Sequence, residues 1–243
     1  MSFVLCYHAV SADWHDPLSV APRTLARQIG AALRVGWEPT TLAGVVGGRR
    51  RAFHVTFDDA FRSVTAALPV LARAAVPATV FACTEFVGRT LDLPPLRAVA
   101  AEHRHELTTL SWDELREAAQ RGVEVGSHTR RHFDLRGLSD EALQDELATS
   151  REQIETELGR RCRYLAYPYG QFDRRVQLAA ERAGYDAAVG LVGVGSLGGR
   201  FGIPRVDAAR DDGPLRIAFK STRAWPLVVP PLRRLRGLRA RLT

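Results

Sequence analysis

Short, nearly continuous apolar runs alternate along the chain with longer stretches in which apolar residues recur every three or four positions. The short runs are residues 3–10 (FVLCYHAV), 53–59 (FHVTFDD), 77–83 (PATVFAC), 123–128 (VEVGSH), 164–170 (YLAYPYG), 185–192 (YDAAVGLV) and 200–207 (RFGIPRVD). Their length and their Val, Phe and Ala content fit buried strands. The longer stretches, 23–36, 61–75, 111–122, 139–159 and 174–184, carry the helical period. Helix boundaries are marked: Ser111 is followed three residues later by Glu114, Ser139 precedes Asp140 and Glu141, and Gly36, Gly122, Gly159 and Gly184 stand at the ends. Strand and helix in regular alternation predict an α/β protein built on a parallel sheet, open or closed into a barrel.

The strand runs end in polar residues. Tyr7 and His8, Asp58 and Asp59, His128 with Thr129 and His132, and Pro168, Tyr169 and Gly170 each follow an apolar run. Parallel strands deliver functional groups at their C-terminal ends, where the following loops surround a crevice or barrel mouth. Singly, each cluster has an ordinary structural use, since a double Asp can cap a helix and two histidines can simply pack. Four such clusters at successive strand ends point to a site. His128 and His132 put two imidazoles within reach of one ion, and one carboxylate completes a set that leaves a position open for water. Zinc is the first expectation, with cobalt, nickel, iron or manganese open, because such a donor set selects by geometry and availability as well as affinity. The double Asp then has two uses: one carboxylate on the ion, the other free as a base.

Composition changes the picture in one place. The 243 residues are 46% hydrophobic and 25% charged, and the formal net charge of +7 is concentrated at the end. Residues 213–243 hold eight basic residues and no acid, and without those eight the 34 basic residues fall within one of the 27 acidic ones. A near-neutral body argues against nucleic-acid binding. The expected division is therefore a single domain over residues 1–210 and a basic tail over 211–243. Leu232, Leu235, Leu238 and Leu242 recur there at helical spacing between arginines, a pattern suited to peripheral contact with the inner membrane surface. The first residues have neither a basic n-region nor a long apolar core, no apolar run reaches membrane-spanning length, and Cys6, Cys83 and Cys162 lack paired spacing. A cytoplasmic protein with reduced cysteines is expected.

"VTFDDA", "SHTRRH" and "YPYG", in this order between alternating helices and strands, resemble the first three motifs of the NodB-type polysaccharide deacetylases. The likeness runs from Phe3 to Asp207 and includes "PATVF", "LSWDELREAAQRGVEVGSHT" and "ERAGY". It implies a distorted, TIM-like (β/α)7 barrel and a metal-dependent hydrolase that removes an N-acetyl group from an amino sugar such as an N-acetylglucosamine saccharide, glycoside or lipid-linked sugar. By the same resemblance Asp58 is the general base, Asp59, His128 and His132 hold the metal, the Tyr169 backbone N–H stabilises the oxyanion, and Thr129 orders the histidine loop. Two departures stand out. The family's late Leu-x-His motif is missing, as no histidine follows His132, and "LCYH" ending at His8 looks like that motif moved to the N-terminus, as in the permuted branch. His8 is then the general acid. The Arg of the family's Arg-x-Pro is replaced by Ala166 before Tyr167 and Pro168, so another group must orient Asp58, and Arg205 in "IPRVD" is the candidate. Trp14, Glu85 and Tyr169 are expected to line the substrate site. A same-fold hydrolase of a non-sugar amide or imide, and a non-catalytic sugar-binding descendant, remain as alternatives.

Overall fold

The computed structural model describes residues 2–193, 198–222 and 225. Among the described residues ten strands form: β1 (Phe3–Tyr7), β2 (Ala9–Val10), β3 (Ser19–Val20), β4 (Glu38–Pro39), β5 (Ala52–Phe57), β6 (Ala78–Ala82), β7 (Glu124–Ser127), β8 (Tyr164–Ala166), β9 (Ala187–Leu191) and β10 (Ile203–Asp207). The helices are α1 (Pro22–Arg34), α2 (Leu42–Val46), α3 (Leu68–Ala74), α4 (Trp112–Gln120), α5 (Asp140–Leu158), α6 (Arg174–Arg182) and α7 (Pro214–Lys220).

Seven strands close a parallel barrel in the order β1-β10-β9-β8-β7-β6-β5, with β5 returning to β1. The closing seam is well registered, Phe3 to Phe53 through Tyr7 to Phe57 on one side of β1 and Val4 to Arg205 through Cys6 to Asp207 on the other. First and last strands are therefore neighbours. The short β4 extends the sheet beside the start of β5.

Side chains alternate across the barrel wall, as strand geometry requires. Phe3, Leu5, Tyr7, Phe53, Val55 and Phe57 belong to the large core under the helices. Val4, Phe81, Tyr164, Ala166, Val189 and Ile203 form the smaller cluster inside, against Leu42 of α2. The helix signals are realised: Ser111 and Glu114 make a reciprocal capping box, Ser139 accepts from the Ala142 N–H, and Gly159 ends α5 in the left-handed conformation. Where a single helix over 61–75 is expected, the chain makes a 3-10 segment, Arg62–Ala67, before α3. Pro69 explains the break, because it suits the first turn of a helix and cannot continue one. The region 84–110, for which the sequence gives no periodic signal, makes three 3-10 segments over a satellite apolar cluster that contains Trp14, Phe61, Leu91 and Leu107.

α7 packs on α1, with Ile217 fully buried and Lys220 ion-paired to the buried Asp212. The first part of the segment read as a tail is thus helical and attached to the barrel. The leucine-spaced run from Leu232 to Leu242 lies outside the described residues. Among the described residues no helix is long and apolar enough to cross a membrane.

One polar residue inside the barrel carries a prediction. His54 is 1% exposed, its Nδ1 2.8 Å from the Thr40 carbonyl and its Nε2 2.8 Å from Thr79 Oγ1. Burial pulls its pKa down to about 4, against a partial opposing effect of the Thr40 carbonyl. The folded value lies below the unfolded one of ~6.5, so the unfolded chain binds the extra proton first, and stability present above pH 6.5 is lost as the pH falls towards 4. The expected loss is at most about 3 kcal/mol. His54→Gln should flatten the fall in thermal midpoint between pH 7 and 4.5 relative to wild type; parallel curves would assign the acid sensitivity elsewhere.

Candidate active site

Asp58 and Asp59 follow β5, where the apolar alternation stops and the backbone turns sharply: Asp59 and Ala60 have φ of 65° and 50°. Thr129, His132 and Tyr169 also lie at positive φ. Five of the seven non-glycine residues with this geometry among those described therefore sit in the polar clusters after β5, β7 and β8. Left-handed backbone costs of order 1–3 kcal/mol per residue and persists only where the surroundings enforce it.

The Asp59, His128 and His132 side chains, all buried, bring one donor atom each within 4.8 Å of the others. Asp59 Oδ1 stands 3.6 Å from Nε2 of both imidazoles and has no hydrogen-bond partner. A buried carboxylate oxygen left unbonded between two ring nitrogens is costly unless something bridges them. Ligands ~2.0–2.1 Å from a tetrahedral zinc lie roughly 3.3–3.4 Å apart, close to the separation found. The residues present therefore fit a divalent ion. His128 Nδ1 is 2.8 Å from the Ala166 carbonyl, an arrangement that puts the proton there and leaves Nε2 free to ligate. Burial, opposed by the Asp59 charge, pulls the His132 pKa down to about 4, so its ring is neutral at pH 7, as ligation requires.

The loop carrying the histidines is held from several sides. The His132 N–H donates to Thr129 Oγ1, and the Thr129 N–H to Ser127 Oγ. Glu146, fully buried on α5, accepts from the Arg130 and Arg131 N–H groups at 3.1 and 2.8 Å and from Arg131 Nε at 2.6 Å. Sequence reading did not single out Glu146, which lies in a helix with many acids; a carboxylate at a position where the helix turns inward is the signal that was available. Supporting groups of this kind typically change metal affinity 10- to 100-fold. Glu146→Ala is expected to raise the zinc dissociation constant by about that factor, read by competition with a chromophoric chelator; an unchanged constant would mean that the loop is held without it.

Asp58 lies beside the metal-fitting cluster, its Oδ2 3.8 Å from His128 Nε2, and is held from inside the barrel by Arg205. Arg205, 0% exposed in the middle of β10, donates to both Asp58 oxygens, Nη1 to Oδ1 at 2.6 Å and Nη2 to Oδ2 at 2.7 Å, and Nη1 also donates to Thr56 Oγ1. Its guanidinium lies over the Phe81 ring at 5.5 Å. The sequence candidate for orienting Asp58 is thus in bidentate contact with it. Burial pushes the Asp58 carboxyl up, but the Arg205 charge, helped by His128 and His8, holds it well below the usual carboxylate range. Cys6, read from sequence as a core cysteine, is buried and donates its thiol to Asp58 Oδ2 at 3.5 Å. Burial holds that thiol protonated, with Asp58 adding to the effect and Arg205 opposing it.

His8 lies just past the end of β1, half-buried, with a ring nitrogen in the same 4.8 Å set as Cys6 Sγ and an Asp58 oxygen. Tyr169 is 41% exposed, its ring edge-on to His132 with centroids 4.6 Å apart. The turn beneath it needs Gly170, at φ 66°, where a Cβ would come within 2.6 Å of the Leu191 side chain.

Two expected substrate contacts are displaced. Trp14 is 2% exposed and packs edge-on against Phe61 in the satellite cluster, so it offers no face to a sugar. Its loop folds inward because Ser11 Oγ accepts from the Trp14 N–H and Arg210 donates to its carbonyl. Glu85 is ion-paired to Arg130 and lines a separate hollow with Thr149 and Gln153 of α5, which none of the metal-fitting residues lines.

Comparison with known proteins gives the family and the fold. The polysaccharide deacetylase family model matches residues 46–188, more than half of the chain. A Bacillus subtilis (strain 168) protein, YxkH, named for the polysaccharide deacetylases, is 29% identical over 136 residues; the match covers 56% of this chain and 43% of that relative, so the chain spans less than half of its length. Among solved structures, the Streptococcus pyogenes deacetylase PplD in complex with acetate superposes with a TM-score of 0.74 at 19% identity, over 90% of this chain and 97% of that one. IcaB from Ammonifex degensii gives a TM-score of 0.72 at 23% identity, over 93% and 96%. At these identities the two structures support the barrel fold.

Proposed function

Because the chain belongs to the polysaccharide deacetylase family, we propose that it is a metal-dependent hydrolase that removes the N-acetyl group from an amino sugar of the N-acetylglucosamine type. The observation that carries this reading is the unbonded Asp59 Oδ1 between two imidazoles, beside an Asp58 kept ionised by Arg205. Asp59, His128 and His132 would hold the ion, zinc first by its donor set. When bound, it would supply Lewis-acid polarisation of the acetyl carbonyl and acidify a water molecule.

The chain's own residues do the rest. Asp58 accepts the proton of the attacking water, with Arg205 fixing the direction of its lone pairs. The Tyr169 N–H donates to the oxygen that gains charge. His8, whose ring nitrogen lies within 4.8 Å of an Asp58 oxygen, gives a proton to the departing nitrogen. A C–O bond forms, the C–N bond breaks, and acetate and a free amine leave. With β1 beside β10, a residue following the first strand occupies the neighbourhood that one following the last strand would, which supports placing the chain in the permuted branch.

Acetate release from N-acetylated glycosides and oligomers, an O-acetylated sugar and a set of non-sugar acyl amines tests the substrate class. Release confined to N-acetyl sugars is the expected result. Activity only on the non-sugar amines would make this a same-fold amidase, and binding of sugars without any release would make it a non-catalytic descendant. For the basic tail we propose contact with anionic membrane surface, read as salt-sensitive binding to anionic vesicles that a chain ending at residue 222 lacks.

A further inference from the structure

A cavity of about 420 Å³ opens between the ends of β9 and β10, the loop before β3 and the region of α7, lined by His8 but by none of Asp59, His128 and His132. His8, Cys6 and Arg205 line it, so it adjoins the site described above. Pro17, Leu18, Leu191, Val192 and the half-buried Trp225 give it apolar walls, and Trp225 is fixed by packing on Val192 and edge-on against Phe219. Three cations stand in the wall, and each is already paired: Arg205 with Asp58, Arg216 with Asp212, and Lys220 with Asp212 and the Asp207 carbonyl. A pocket whose positive charges are neutralised from within offers little to a phosphate. Asp207 and Asp211 also line it, so its charges balance, and the larger, apolar part of the lining suits a neutral group with an apolar portion.

Resting on the proposed deacetylation, we infer that this cavity holds the aglycone of the substrate, and that the substrate is a short amino-sugar glycoside with a neutral apolar aglycone and not a nucleotide-linked sugar. The nitrogen that receives the His8 proton is carried by the sugar, so the sugar lies on the His8 side of the reacting carbonyl. Whatever is attached to it extends into the space beyond, which is this cavity. Trp225 lines the cavity, and with the Lys220 ammonium over its ring at 5.2 Å it has its other face to offer an alkyl or aryl chain.

The test compares kcat/KM of the zinc-loaded full chain on methyl and octyl N-acetylglucosaminides and on a nucleoside-diphosphate N-acetylglucosamine. The octyl compound is expected to exceed the methyl one by at least ~10-fold, as burial of several methylenes implies, and the nucleotide sugar to show no such advantage. Trp225→Ala should bring the octyl-to-methyl ratio towards one, and Trp225→Phe should restore it. An octyl-to-methyl ratio near one in the wild type, a preference for the nucleotide sugar, or a ratio indifferent to Trp225→Ala would overturn the assignment. No acetate from any of the three would overturn the deacetylase reading instead. In that case calorimetric binding of octyl and methyl glucosaminides decides the cavity separately: tighter octyl binding that depends on Trp225 supports it, and equal binding removes it.

Discussion

Asp58→Asn is expected to lower kcat by about 10³-fold, within the range for loss of a positioned general base, while one equivalent of zinc still binds. The amide keeps an oxygen for Arg205 to donate to but cannot accept a proton from water. Asp59, His128 and His132 are untouched, and Asp59 Oδ1 remains 3.6 Å from both ring nitrogens. Turnover and zinc stoichiometry must be read on the same preparation. Loss of zinc together with rate would place Asp58 among the ligands and undo the division of labour between the two aspartates.

The largest effect on stability is expected from Arg205→Met. The Asp58 carboxylate is 3% exposed and its pairing with Arg205 is bidentate. Removing one partner of such a pair leaves a buried charge uncompensated, at about 3–5 kcal/mol, or a fall of roughly 10 °C in thermal midpoint for a chain of this size. The pH dependence has a definite sign. In the wild type the folded pKa of Asp58 is depressed, so its contribution is present above the unfolded carboxylate value of ~3.9 and is lost only as pH falls below it. Without Arg205, burial dominates and the folded pKa rises above the unfolded one. The variant should then recover stability, relative to wild type, as pH falls from 7 towards 5, while the acid limb of its kcat/KM profile moves to higher pH. The double variant Asp58→Asn, Arg205→Met should regain much of the lost midpoint without regaining activity. A single variant as stable as wild type, with an unmoved acid limb, would show that Arg205 neither supports nor tunes Asp58.

The parts of this site legible in the sequence are those tied to strand periodicity. Each apolar run stops at the barrel mouth, so Asp58, Asp59, His128, His132 and His8 could be placed there from pattern alone, whereas Arg205 was reached through the family resemblance, which leaves Asp58 in need of a partner. The side chain of Arg205 points inward by strand alternation, opposite Val206, and it is long enough to rise to Asp58. What stayed hidden depends on which way a non-periodic segment turns. Trp14 lies in a loop whose direction is set by contacts with Ser11, Phe61 and Arg210, none of which has a sequence signature. Region 84–110 is covered by 3-10 segments whose period is too short-lived to see. Glu146 is one acid among many on α5, and only its burial under the Arg130 and Arg131 amides distinguishes it. Cys6 reads as a core residue and is one, yet its inward-facing neighbour is the proposed base.

The central claim, hydrolysis that depends on an ion held by Asp59, His128 and His132, is tested most directly by acetate release from an N-acetylglucosaminide before and after zinc is returned to chelator-stripped protein. The expected result is silence in the stripped protein and activity that rises to a plateau at one equivalent of zinc. Undiminished release by the stripped protein would contradict the account.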